Sequence, residues 1–179
     1  LKKIHENSLK ACVKKKLLIN TLSKERVYQE FRKLLISKNA SFALQILQRK
    51  NVLQILIRDL NKIKCKDIKF VDKVHKDFLV RLAYLINKSK ISYELAVNQL
   101  KLPKREKNEL KILLTQHNSI QTAKEARVLR YNYSKDIALK KYKLMIALVQ
   151  GKEAKTVINV IKNWTPPQLP VNGKDLLQL

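Results

Sequence analysis

The side chains best suited to acid–base or metal chemistry are the three histidines, His5, His75 and His117, and the two cysteines, Cys12 and Cys65. None of them clusters with carboxylates at metal-ligand spacing. His75 beside Asp72 and Asp77 is the nearest approach to a constellation, because residues three apart on a helix can touch. One such pair reads as a surface contact. Gly151 and Gly173 are the only glycines, so there is no glycine-rich phosphate loop. No Ser or Cys sits in a recognisable nucleophile setting. The sequence offers nothing with which to carry out phosphoryl transfer, and binding is what remains.

The groups that could bind are basic. Lys66, Lys69, Lys73 and Lys76 recur at spacings of three, four and three, a single stripe if a helix runs through them. A solvated lysine face is the alternative. Lys124, Arg127 and Arg130 lie on the outer side of a later helical pattern, where guanidinium forks suit phosphate oxygens. Of the six tyrosines, Tyr84 lies inside an apolar run and reads as core. Tyr131 and Tyr133, flanking the end of the Arg127/Arg130 helix, are the candidates for stacking on unpaired bases. With so few aromatics, basic helices against a duplex backbone, read by shape, fit better than a sheet-type single-strand reader.

The elements that must position these groups are helices. Two glycines and four prolines in 179 residues, with hardly any alternating strand pattern, predict an all-α fold: an elongated array of roughly eight to ten short helices and no sheet. The best-specified helix starts at Ser23, a natural N-cap. Leu22 and Val27 can form a hydrophobic staple, and Glu25 suits the positive helix end. Val27, Phe31, Leu34 and Leu35 then share an apolar face, with Arg26, Glu30 and Lys33 on another. Upstream, residues 1–19 read as a helix closed by Lys14-Lys15-Lys16. Downstream come two short helices around Lys50-Asn51, a polar loop over 61–66, and a helix from Val71 to about Asn87. Ser92 caps another helix, Pro103 opens the next, and His117-Asn118-Ser119 breaks it. Helices follow over 121–131, with Ala123, Ala126 and Leu129 inside, then from Ser134 to Val149, and from Glu153 to Asn163. Trp164-Thr165-Pro166-Pro167 cannot continue a helix.

Thirty-nine basic residues against fourteen acidic give a net charge of +25, a balance that favours a polyanionic partner. Thirty-one of the thirty-nine are lysine, as an AT-rich genome favours, but codon bias does not explain the shortage of Asp and Glu. Nucleic acid is the expected partner. No apolar run approaches the ~20 residues that span a bilayer, and the start is no signal peptide. Cys12 and Cys65, far apart, read as free thiols in a reducing compartment, so a cytoplasmic location is expected.

Several segments, in order, resemble the C-terminal half of the class II tRNA nucleotidyltransferases (CCA-adding enzymes) and bacterial poly(A) polymerases. Ser23-x-Glu25-Arg26-Val27-x-x-Glu30 is similar to the motif that follows the family's nucleotide-selecting element, with Val where Ile is usual. Ala43-Leu44-x-Ile46-Leu47 and Val52-Leu53 resemble the helix pair after it. Arg81-Leu82-Ala83-Tyr84-Leu85 resembles a body helix, and Leu100-Lys-Leu-Pro-Lys-Arg-Glu the turn beyond. Trp164-x-Pro-Pro-x-Leu-Pro-Val-x-Gly-Lys-Asp-Leu-Leu resembles the start of the tail.

The resemblance implies a neck-like RNA-binding region over 1–58, a helical body over 59–163 and the start of a tail over 164–179. It implies that Ser23, Glu25, Arg26 and Glu30 buttress the neck. Lys66, Lys69, Lys73, Lys76, Lys124, Arg127, Arg130 and Tyr131 would meet RNA, most specifically the acceptor and TΨC arms of tRNA. The family's catalytic head, with its metal-binding carboxylates, and its Glu-Asp-x-x-Arg nucleotide selector have no counterpart in the sequence. The chain is therefore expected to be an excerpt of a longer protein, with Mg²⁺ and CTP or ATP held by a head outside it. No His-Asp follows Tyr84-Leu85-Ile86, so an attached phosphohydrolase is not implied. The competing expectations are a stand-alone basic helical RNA-binding protein of ribosomal or assembly type, and a structural scaffold whose charge reflects genome composition.

Overall fold

The computed structural model describes residues 5–115 and 119–167. The chain is all-α, and no strand occurs among the described residues. Helix α1 (Glu6–Lys14) leads through a 3₁₀ segment (Lys16–Thr21) to α2 (Lys24–Ile36), α3 (Ala40–Arg49) and the single turn α4 (Leu53–Leu56). A 3₁₀ turn (Leu60–Lys62) precedes α5 (Cys65–Phe70), which runs on into a 3₁₀ turn (Val71–Lys73). Then come α6 (Phe78–Ser89), α7 (Tyr93–Leu100), α8 (Lys104–Leu114), α9 (Ala123–Asn132), α10 (Lys135–Val149) and α11 (Lys155–Asn163).

Local chemistry sets most of the boundaries. Ser23 accepts from the Arg26 amide at 3.3 Å and Ser92 from that of Leu95 at 3.2 Å, each satisfying a donor left orphaned by the first turn. Thr122 and Glu125 form a reciprocal capping box at the start of α9, a Thr-x-x-Glu signature. Ser134 caps α10 by accepting from the Ile137 amide. Several helices stop at residues in the left-handed region, Lys90, Lys101 and Gln150 among them, where a helix ends because its next carbonyl is redirected.

Two expected boundaries differ. The continuous helix from Val71 to Asn87 is interrupted over residues 74–77, because the Asp77 carboxylate accepts from the Val80 amide and starts α6 afresh. The loop expected over 61–66 is largely helical, since Leu60 and Ile63 are pulled into the core. Leu1 and Ile4 of the first helix, the His117-Asn118 break and the tail beyond Pro167 lie outside the described residues.

Two hydrophobic cores organise the packing. In the first, α6 is buried on every side from Phe78 to Ile86, as a helix must be when neighbours enclose it. Helices α2, α8 and α10 pack against it. This core runs on through Leu53, Ile57, Leu60 and Ile63. The second core lies between α9, α10 and α11, around Ala126, Leu129, Tyr142, Val157 and Ile161. Helix α10 serves both, contributing Leu144 and Ala147 to the first and Ala138 and Tyr142 to the second.

Polar links reinforce the junction. Lys140 reaches Glu109 at 2.7 Å, Asp136 at 3.0 Å and Asp77 at 3.2 Å. Burial disfavours its charge, but hydrogen bonds to Glu109 and Asp136 and the charge of Asp77 outweigh that and hold its pKa above the ordinary lysine value. Its neighbour Lys141 has no carboxylate. It donates to the carbonyls of Ile112 and, at 3.1 Å, Thr115, closing the C-terminal end of α8, while burial draws its pKa down to about 8.

Candidate nucleic-acid interface

The charge surplus is mostly unpaired with carboxylates. Among the described residues nine ion pairs engage seven basic side chains, out of thirty-nine in the sequence. Other carboxylates serve the fold. Asp72 accepts from the Ser41 amide at 3.1 Å and from its hydroxyl, and Glu125 from the amides of Gln121 and Thr122, which holds its pKa low. Asp72 and Asp77 are thus both occupied away from His75. What is left over is positive.

The expected basic groups fall in separate places. Lys66 and Lys69 stand on α5, Lys73 on its 3₁₀ continuation and Lys76 beyond the interruption, all four exposed. They do not share one unbroken helix, because the Asp77 cap splits it. Lys66, Lys69 and Lys73 stay on a near-continuous helical turn, where Lys73 leans over the Phe70 ring at 5.7 Å from its centroid.

On α9, Lys124, Arg127, Val128 and Tyr131 are exposed at spacings of three, one and three. This is one helix face. Val128 and Tyr131 are 56% and 64% exposed, so an apolar edge lies along the cations. Arg130 departs from expectation: it is half-buried and donates to the Tyr133 carbonyl at 2.9 Å, closing the end of the helix. Ala123, expected inside, is exposed, since the inward stripe of α9 is Ala126 and Leu129.

The tyrosines sort sharply. Tyr28, Tyr84 and Tyr142 are buried, and Tyr93 is half-buried and donates to the Lys107 carbonyl at 3.0 Å. Tyr133 sits beneath Lys141, whose ammonium lies 5.4 Å from the ring centroid. Tyr131 alone is left open for stacking. Burial, with the nearby charge of Asp67, pushes the Tyr84 hydroxyl up to about 12, which keeps it a neutral donor to the Asp67 carbonyl.

In the Ser-x-Glu-Arg helix, Ser23 is the cap already described. Glu25 reaches Lys101 at 2.7 Å, the hydrogen bond that lowers its pKa most, and this pair fastens the start of α2 to the α7–α8 turn. Glu30 pairs with Lys33 at 2.9 Å, and Arg26 stands exposed. The same helix holds a polar group that sequence reasoning passed over. Buried Tyr28 donates to Glu106 at 2.6 Å, and Arg32 donates to both at 2.8 and 2.6 Å. Nothing local signals it, because Glu106 lies seventy-eight residues away.

Between α1, the 3₁₀ segment and α3 runs an apolar groove of about 650 Å³ lined by Leu9, Val13, Leu18, Ile19 and Leu47. Lys15, Lys16 and Lys50 rim it. Among the described residues no three His, Cys, Asp or Glu side chains are placed to hold a metal ion. No described helix is long and apolar enough to cross a membrane.

An all-α body with unpaired cations on short helices suits a polyanionic partner. Its first third carries a more specific mark: residues 3–64 match the family model described as the probable RNA and SrmB-binding site of polymerase A. This segment is similar to an RNA-binding region of the polymerase A type, in line with the resemblance carried by the Ser23 motif and the helix pair after it. No curated protein and no solved structure matches the chain.

Proposed function

We propose that the chain is the RNA-holding portion of a template-independent nucleotidyltransferase, a CCA-adding enzyme or poly(A) polymerase. It grips the acceptor and TΨC arms of tRNA through their phosphates while a separate catalytic head adds nucleotides to the 3′ end. The observation that carries this reading is the polymerase A match over residues 3–64, on a chain of net charge +25. In this reading Mg²⁺ and CTP or ATP belong to the head. The chain's own residues hold and orient the RNA: Lys66, Lys69, Lys73 and Lys76 on one side, and Lys124, Arg127 and Tyr131 on the other. Glu25 ties α2 to Lys101, and Glu30 pairs with Lys33 within the helix, with Arg26 beside them.

The test is a titration of tRNA against the chain at rising salt. Six to ten phosphate contacts would lose roughly 10³–10⁵ in affinity between 50 and 200 mM salt. A flat response rejects phosphate gripping. Equal affinity for tRNA and for a plain duplex of the same length and charge rejects acceptor-arm recognition and favours a stand-alone basic RNA binder.

A further inference from the structure

A second kind of groove lies within the polymerase-A-type segment, closed on one side by α7. It holds about 560 Å³ and is lined mainly by side-chain amides: Asn20 from the first 3₁₀ segment, Gln54 from α4, Asn61 from the second 3₁₀ turn and Gln99 from α7. Ile55 supplies an apolar wall, and Arg58, Asp59 and Lys62 complete the lining. This composition is unlike the rest of the surface, where lysine prevails. Carboxamides carry donor and acceptor side by side, the pairing a nucleobase edge presents. A phosphate alone would call only for the cations.

Two of the amides are held in opposite senses. Gln99 accepts from the Arg58 backbone amide through Oε1 at 2.5 Å, which leaves its Nε2 as the donor of that carboxamide. Asn61 donates through Nδ2 to Asn51 at 3.0 Å, and its Oδ1 is buried without a hydrogen-bond partner. The rim is fixed too. Asp59, in the left-handed conformation at φ 67°, holds Lys62 at 2.7 Å, so its carboxylate is neutralised where an anion would pass. Arg58 is exposed beside it.

We infer that this groove binds one unpaired nucleotide of RNA, with the base edge on the carboxamides, its face against Ile55, and the adjoining phosphate on Arg58. The inference rests on the RNA-binding reading and adds a single-strand subsite to it. The test compares two RNAs, a blunt hairpin and the same hairpin with a four-nucleotide 3′ overhang. Wild-type chain should bind the overhang form about tenfold tighter, the scale of one well-made base contact. The variant Asn20→Ala/Gln54→Ala changes two exposed side chains and should reduce that preference to within about twofold, with blunt-hairpin affinity unchanged. Equal wild-type affinity for the two RNAs, or a preference that survives in the variant, overturns the subsite. Failure to bind either RNA overturns the RNA-binding reading and the subsite together.

Discussion

The Arg81 guanidinium donates to the Leu35 carbonyl at 2.6 Å, so the centre of the first core is tied to the C-terminal turn of α2. The same group reaches the Ser37 carbonyl at 3.0 Å and the Val74 carbonyl at 3.3–3.4 Å. These carbonyls belong to a helix end and to the start of the interruption before α6, where no helical amide meets them. Arg81 is buried, and its fork does what local backbone cannot.

Replacing Arg81 with Met should cost about 3 kcal/mol or more, because several buried carbonyls lose their donor at once. Arg81→Lys should recover little of this, since one ammonium cannot span three carbonyls in the directions a planar fork reaches. Urea unfolding measures both, and an unchanged midpoint in Arg81→Met contradicts the assignment.

Lys141 makes stability depend on pH. Its folded pKa is about 8, lowered by burial from an ordinary 10.5. Between those values the unfolded chain holds a proton that the folded chain has released, so stability rises with pH through that window and the penalty is fully present below it. Wild type should gain on the order of 2 kcal/mol relative to Lys141→Met between pH 7 and 9.5. Parallel profiles contradict this. Above pH 10 the trend reverses, because folded Tyr84, raised to about 12, keeps a proton that its unfolded form loses.

Left-handed helix ends here are built without glycine. Lys90 and Gln150 close α6 and α10 at φ 56° and 53°, and both are exposed. Lys90→Gly and Gln150→Gly should each stabilise the fold by about 0.5–1 kcal/mol. Thermal unfolding that shows a loss at either site contradicts the strain argument.

For the proposed RNA contact on α9, the informative pair is Lys124→Glu and Arg127→Glu. Arg130 is unsuitable, because it holds the Tyr133 carbonyl and its loss would disturb the helix end. Each reversal should weaken tRNA binding at low salt and flatten the salt dependence by about one unit of slope per lost contact, with the unfolding midpoint unchanged. Unaltered affinity removes this face from the interface.

What the sequence made legible was local. Ser23 with Leu22, Glu25 and Val27 specified α2, and Pro103, Ser92 and Ser134 placed three more starts, because caps act within four residues. The Thr122–Glu125 box was equally readable and was passed over. The interruption before α6 was hidden by apolar spacing that continues across it: Val71, Val74, Phe78 and Leu82 are all buried and recur at helical intervals on both sides of the break. Asp77 ahead of Phe-Leu-Val was the signal that competed with that period. The inward turns of Tyr28, Arg81 and Lys141 could not be read, since their partners Glu106, Leu35 and Ile112 lie twenty-nine to seventy-eight residues away. The basic surplus was visible in the composition, but the placement of the expected basic groups on separate elements was not. Exposure of Arg127 and burial of Arg130 depend on which side of α9 meets α11.

Helix α10 belongs to both cores, and it is one uninterrupted rod of fifteen residues, about 22 Å long. The lysine-bearing turn of α5 is fastened to one core and the open face of α9 to the other. Their separation is therefore gauged before any ligand arrives. Any ligand that touched both faces would meet them at a separation set by the packing of α10 and not by the ligand.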